Sequence, residues 1–292
     1  MKKLFLTSLL AAAAVSGANA ANVIDGNPLY MPSAGHFYSV STLASHSETE
    51  KDWTLGEEFG YGISDKFAIE LNTSLAEQAE DKAIGGDDKM FDAYGWTNLG
   101  IKATFRAFEQ GGIVADVYGS VDAGPDAIVG GGLYYHSKAA DKSWFMDKDL
   151  TGYTWTAGAR LGYTSGAFTI AGHAEYIYLN SEAFNWNEKG LHQIALGLDG
   201  QFVIDSNWNL VAGAEYTGIT NDHMAYDNME DPAKVENAGI WTGYFGVNYN
   251  IDATKYVGAY INGSMNHHGG DDADEWIGDR GYGFGVKFGI DF

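Results

Sequence analysis

The chain has 292 residues, 39 glycines against 4 prolines, no cysteine, and a formal charge of −22. Such an acidic chain has no basic patch to replace the counterions of nucleic acid, and without cysteine it cannot be held by disulfides. Its length suits one large domain, and no stretch reads as a linker between two.

The N-terminus reads as an export signal. Lys2 and Lys3 form a charged start, residues 4–15 are apolar, and Ala18-Asn19-Ala20 is a small-x-small cleavage site. Residues 1–20 are therefore expected to be a signal peptide and 21–34 an N-terminal segment, with 35–292 forming the domain. The apolar run is shorter than the ~20 residues a spanning helix needs, and no later run is longer. If this chain spans a membrane, it does so with strands.

From residue 37 onward, apolar and polar residues alternate. A strand has a side-chain period of two, so each apolar set falls on one face. The first strand lies around residues 37–44. Leu55, Phe59, Tyr61 and Ile63 mark the next, followed after Ser64-Asp65-Lys66 by Phe67, Ile69 and Leu71. Leu99, Ile101 and Phe105 precede Ile113, Ala115 and Val117 across Gly111-Gly112. Trp155, Ala159 and Leu161 precede Phe168, Ile170 and Tyr176 across Ser165-Gly166. Ile194, Leu196 and Leu198 precede Trp208, Leu210 and Ala212 across Asp205-Ser206-Asn207. Trp241, Phe245 and Val247 precede Val257, Ala259 and Ile261 across Asp252-Ala253-Thr254.

These turns carry the Gly, Asn, Asp and Ser that turn geometry favours. Longer polar connections centre on Ser47, Asp81, Lys142, Asn185, Asp227 and Asp271. Short and long connections alternate, as in outer-membrane barrels. The pattern predicts an all-β fold, a transmembrane antiparallel up-and-down β-barrel of about twelve strands of roughly ten residues, within a range of ten to fourteen. Residues 126–136 fit either an outer hairpin or an extra strand pair. Glu57 falls on an apolar face, so either a bulge shifts the register there or the alignment slips by one.

The chain ends on one more alternating strand. Tyr282, Phe284, Val286, Phe288, Ile290 and Phe292 share a face, opposite glycines, Lys287 and Asp291. This ending resembles the C-terminal signal read by the barrel assembly machinery of the outer membrane. The resemblance implies that Tyr282, Phe284, Phe288, Ile290 and Phe292 serve as the assembly signal. The whole mature chain resembles a Gram-negative outer-membrane β-barrel. Gly60-Tyr61-Gly62-Ile63-Ser64-Asp65-Lys66-Phe67-Ala68-Ile69-Glu70 and Asn27-Pro28-Leu29-Tyr30-Met31-Pro32 are similar to segments of outer-membrane transporters of the phenol meta-pathway type. What the resemblance implies is a protein of the outer membrane, in contact with its lipid and lipopolysaccharide and with the assembly machinery. A monomer is expected from the smooth apolar stripes.

The opposite faces carry Glu58, Glu70, Lys102, Arg106, Asp116, Arg160, His173, Glu175, Asp199, Glu215 and Lys287. Buried charges must be paired or solvated. Hence they either interlock and fill a narrow barrel or line a wet channel. Acids outnumber bases in this set, and the loops add Asp87, Asp88, Glu230, Asp231, Asp272, Asp274 and Glu275. An open channel would therefore show a weak cation preference that declines with salt. The expected function is a passive, porin-like pore for small solutes. The alternative is a closed barrel with a structural role or one that binds ligands or surface partners through its acidic loops, and a barrel hydrolase stands third.

Other motifs carry less. His267-His268 beside Asp271-Asp272 is poorly preorganised for a metal in a glycine-containing loop, so no metal or cofactor is expected. Gly281-x-Gly-x-Gly lacks the strand-turn-helix setting of a dinucleotide site. His173 and Glu175, with Glu215 nearby, make the best catalytic cluster. No Ser accompanies them on the strand and no G-x-S-x-G occurs, so the chain is expected not to be an enzyme.

Overall fold

The computed structural model describes residues 27–46, 53–77, 94–123, 153–180, 191–220, 223–225, 233–269 and 277–292. Among these residues there is no helix, and thirteen strands appear. They are β1 (Phe37–His46), β2 (Trp53–Ser64), β3 (Phe67–Glu77), β4 (Tyr94–Gln110), β5 (Ile113–Ala123), β6 (Tyr153–Ser165) and β7 (Phe168–Asn180). Then follow β8 (Leu191–Val203), β9 (Trp208–Ile219), β10 (His223–Ala225), β11 (Ala233–Asn250), β12 (Lys255–Gly269) and β13 (Ile277–Asp291). Strand β10 is a three-residue piece that pairs with β11 alone. The other twelve form one antiparallel wall, in which β9 pairs with β11 and β13 returns to β1. The sheet is a closed barrel, so no wall strand is left with an open edge.

All five tight turns of the sequence lie at one end, with residue 292. The loop centres and residues 126–136 lie outside the described residues. Several strands exceed ten residues, β4 with 17 and β11 with 18. His267 and His268, read from sequence as loop residues, belong to β12. The paired ladder continues there because β11, with 18 residues, runs at least as far and satisfies its backbone groups.

The wall is inside out relative to a soluble sheet. Large apolar side chains face outward, including Leu161 and Ile261, each 62% exposed. Lipid covers such surface as well as a protein core would. Aromatic rings gather at two heights on this face. Phe37 stacks on Tyr61 and Trp208 contacts Tyr249 near the turns, while Tyr216 contacts Trp241 toward the loops. Amphipathic rings prefer those interfacial levels.

Glu57 needs no bulge. Its register runs unbroken from Ser41 on β1 to Thr73 on β3, and its side chain lies on the outer face, partly exposed. The apolar alternation on either side of it holds the strand in phase. The bulges fall elsewhere, between Gly62 and Ser64 and between Arg106 and Phe108, for example.

Inside the turn end, apolar packing among the described residues resembles an ordinary core. Residues 27–36 enter the barrel ahead of β1. Leu29 is buried against Val114 and Ala171, and Pro32 is fully buried. Tyr30 meets Tyr38 edge-on at 5.8 Å. The segment is tied down by Ala34 pairing parallel to Gly62, with Gly35 donating to the Gly62 carbonyl at 2.7 Å. Gly62 is required at this spot. A side chain there would run into the backbone carbonyl of Ser33.

Candidate functional site: the charged inner wall

The eleven charged or ionisable residues expected to face inward lie on nine different strands, on the face opposite the exposed apolar side chains. Register brings several of them together. Arg106, Asp116, Arg160 and His173 are direct cross-strand neighbours from β4 to β7. Asp116 is the hub. Its carboxylate accepts from Arg106 Nε at 3.0 Å and from Arg160 Nη2 at 2.6 Å, with its side chain fully buried. Arg106 gives one bond to Oδ1 and Arg160 gives two to Oδ2, so both oxygens carry charge-assisted hydrogen bonds. Arg106 also donates to the Leu29 carbonyl at 2.5 Å, which ties the N-terminal segment to the wall.

Further along the barrel axis, a second group joins β7, β8, β9 and β11. His173 places Nδ1 3.2 Å from Asp199 and Nε2 2.9 Å from Glu215. Two carboxylate acceptors call for two N–H donors, which the imidazolium form supplies. Tyr244 donates to Asp199 at 2.9 Å, and Thr217 donates to Glu215 at 3.1 Å. A third group joins β1 to β7. Tyr38 donates to Glu58 at 2.7 Å, Lys102 pairs with Glu70 at 2.9 Å, and Tyr118 donates to Glu175 at 2.7 Å. Lys102 also lies over the Tyr118 ring and Lys287 over the Tyr260 ring, 5.1 and 5.0 Å from the centroids. Both are cation–π distances.

The rings follow one rule that charge reading from sequence misses. Tyr118, His173 and Tyr244 each lie across a glycine on the adjacent strand, namely Gly158, Gly197 and Gly213. Each glycine is in turn the direct neighbour of a carboxylate one strand further on, Glu175, Glu215 and Asp199. Tyr38, Tyr256 and Tyr260 lie likewise over Gly60, Gly289 and Gly285. A missing Cβ lets the ring lie flat against the wall. The signal was present in the sequence, since Tyr118 sits between Val117 and Gly119 and so has the inward parity. Asp122, which accepts from Ser120 at 3.2 Å, is a further inward acid that the expected set omits.

Among the described residues, His173 is paired with carboxylates rather than with a hydroxyl. Both ring nitrogens of His173 are engaged by carboxylates, and the Thr217 hydroxyl is held by Glu215 rather than by the imidazole. Among the described residues no group of three or more His, Cys, Asp or Glu is arranged to hold a metal ion. Within the expected set, six acids face four Lys and Arg residues and His173.

A closed twelve-strand barrel with an apolar outer band, aromatic girdles and a polar interior is an outer-membrane β-barrel. No family model matches the chain, and no curated protein does. Solved structures do. The outer membrane channel from Pseudomonas putida F1 has 12% identity and a TM-score of 0.54, covering 93% of this chain and 100% of that one. The NanC porin has 8% identity and a TM-score of 0.49, over 86% of this chain and 98% of that one. The KdgM porin has 7% identity and a TM-score of 0.49, over 86% and 98%. At 12% identity the likeness to the Pseudomonas channel is one of fold.

Proposed function

We propose that the protein is a narrow passive channel of the outer membrane for small solutes, with a weak preference for cations. One observation carries this reading. The inner tyrosines and His173 lie flat over glycines, so the bulkiest inward side chains hug the wall instead of crossing the bore. The paired charges beside them leave an acidic surplus, which attracts cations in a confined, low-dielectric passage. The N-terminal segment, latched by Arg106 and Gly62, narrows the turn end.

That same segment supports a second reading, a barrel closed at rest whose role lies in its loops. Single-channel recording in a planar bilayer separates the two. The channel predicts stable conductance steps and a reversal potential of cationic sign under a salt gradient. A folded but silent protein supports the closed barrel.

A further inference from the structure

Among the residues whose side chains are described, the middle of the outer wall is apolar except across β1–β3. Ser41, Glu57 and Thr73 are direct cross-strand neighbours and form a polar row on the lipid side. Large apolar residues surround it. Leu55 and Phe59 stand on either side of Glu57 along β2, with Leu43 on β1 and Leu71 on β3, all between 41% and 49% exposed. The row ends at Phe288 and Leu99, its next neighbours on β13 and β4.

A carboxyl group facing lipid tails has no solvent to satisfy it. No Lys, Arg or His is among the direct neighbours of Glu57 on β1 and β3 or stands beside it on β2. Of the bases with described side chains at the rims, Lys255 beside the turns is paired with Asp252 at 3.6 Å, and His192 toward the loops is bonded to Tyr176. The neighbouring strands therefore place no base against Glu57. Hydroxyl and carboxyl groups are, however, both donors and acceptors, so the row is complementary to itself.

We propose that this face is the contact between two copies of the chain, standing side by side in the membrane. A two-fold axis along the membrane normal beside Glu57 brings the two Glu57 carboxyls together. The Ser41 hydroxyls stand beside the paired carboxyls as donors. The surrounding leucines and Phe59 pack wall to wall and exclude lipid. An isologous contact of this kind closes at the dimer. The outer stripe is interrupted on these three strands, which is what a buried contact between copies requires.

The cysteine-free chain makes the test clean. Ser41→Cys in native outer membranes, treated with a short bifunctional thiol reagent, should give a cross-linked dimer. Leu196→Cys, on the outer face of β8, should not. Adding Glu57→Leu to Ser41→Cys should abolish the dimer, while Glu57→Gln, whose amide also donates and accepts, should retain most of it. Glu57→Leu places an apolar side chain against lipid, so a heat-sensitive gel shift should show it folded. Absence of a Ser41→Cys dimer overturns the proposal. So does a dimer insensitive to Glu57→Leu, or a cross-link to a different protein or to lipopolysaccharide instead.

Discussion

The Tyr118 ring lies across Gly158 on the next strand, and its hydroxyl donates to Glu175 one strand beyond at 2.7 Å. A Cβ on Gly158 would sit 2.5 Å from the ring. Three strands are thus coupled by one side chain that needs the middle strand to be bare. His173–Gly197–Glu215 and Tyr244–Gly213–Asp199 repeat the device elsewhere around the wall. In each row the bare strand lets the ring reach its carboxylate, so one contact fixes the position of both groups on the wall.

Gly158→Val should therefore destabilise the barrel by about 1–3 kcal/mol, the usual range for overpacking. Gly172→Ala is the control, because a Cβ there meets nothing closer than 3.7 Å. Urea unfolding in lipid vesicles should show the first variant shifted to lower urea and the second unchanged or slightly more stable.

Asp116→Ala should cost more. It leaves Arg106 and Arg160 buried without their shared acid, a loss of about 3–5 kcal/mol. Replacing all three with Met or Leu of matching volume should recover most of that stability in the same unfolding assay, because desolvated ion pairs contribute little against apolar packing.

The strand plan was legible because the chain states it twice, in apolar parity and in turn residues. Phe284 to Phe292 and Ile113 to Val117 place their faces with no help from tertiary structure. Parity also sorted Lys102, Arg160 and Glu215 to the inside. Sequence could not show which charges meet, because register between strands depends on loop lengths and bulges. The shift between Arg106 and Phe108 decides that Arg106 faces Asp116. The N-terminal segment was likewise opaque. Its tie to Arg106 joins residues 77 positions apart through a backbone carbonyl that carries no sequence signal. Glu57 looked like a slip of register, and it is a real polar point on the lipid face.

The turn at Asp252 gives a pH handle outside the membrane band. Hydrogen bonds from the Thr254 backbone N–H and hydroxyl, both 2.8 Å to Asp252 Oδ1, hold its carboxyl below the ordinary value, with Lys255 adding to them. A depressed folded-state value stabilises the turn above the unfolded pKa of about 3.9, and this is lost as pH falls through the lower folded value. Asp252→Asn should remove that acid-range response while leaving neutral-pH folding intact, as read by amide exchange at Thr254.

In the proposed channel, Glu175→Gln should reduce the proposed cation preference without closing the pore. Glu175 is held by the Tyr118 hydroxyl, which an amide oxygen can also accept, so the ring stays flat and the bore is unchanged. Only the charge is lost. Reversal potentials should move toward zero at low salt and converge with those of the unmodified chain near 1 M, where the Debye length is about 3 Å. Arg106→Ala should act on the other variable. It frees the Leu29 carbonyl and with it the segment at the turn end, so conductance should rise while selectivity shifts toward cations. If Glu175→Gln changes conductance and Arg106→Ala changes neither, the assignment of charge to the inner wall and of width to the N-terminal segment is wrong.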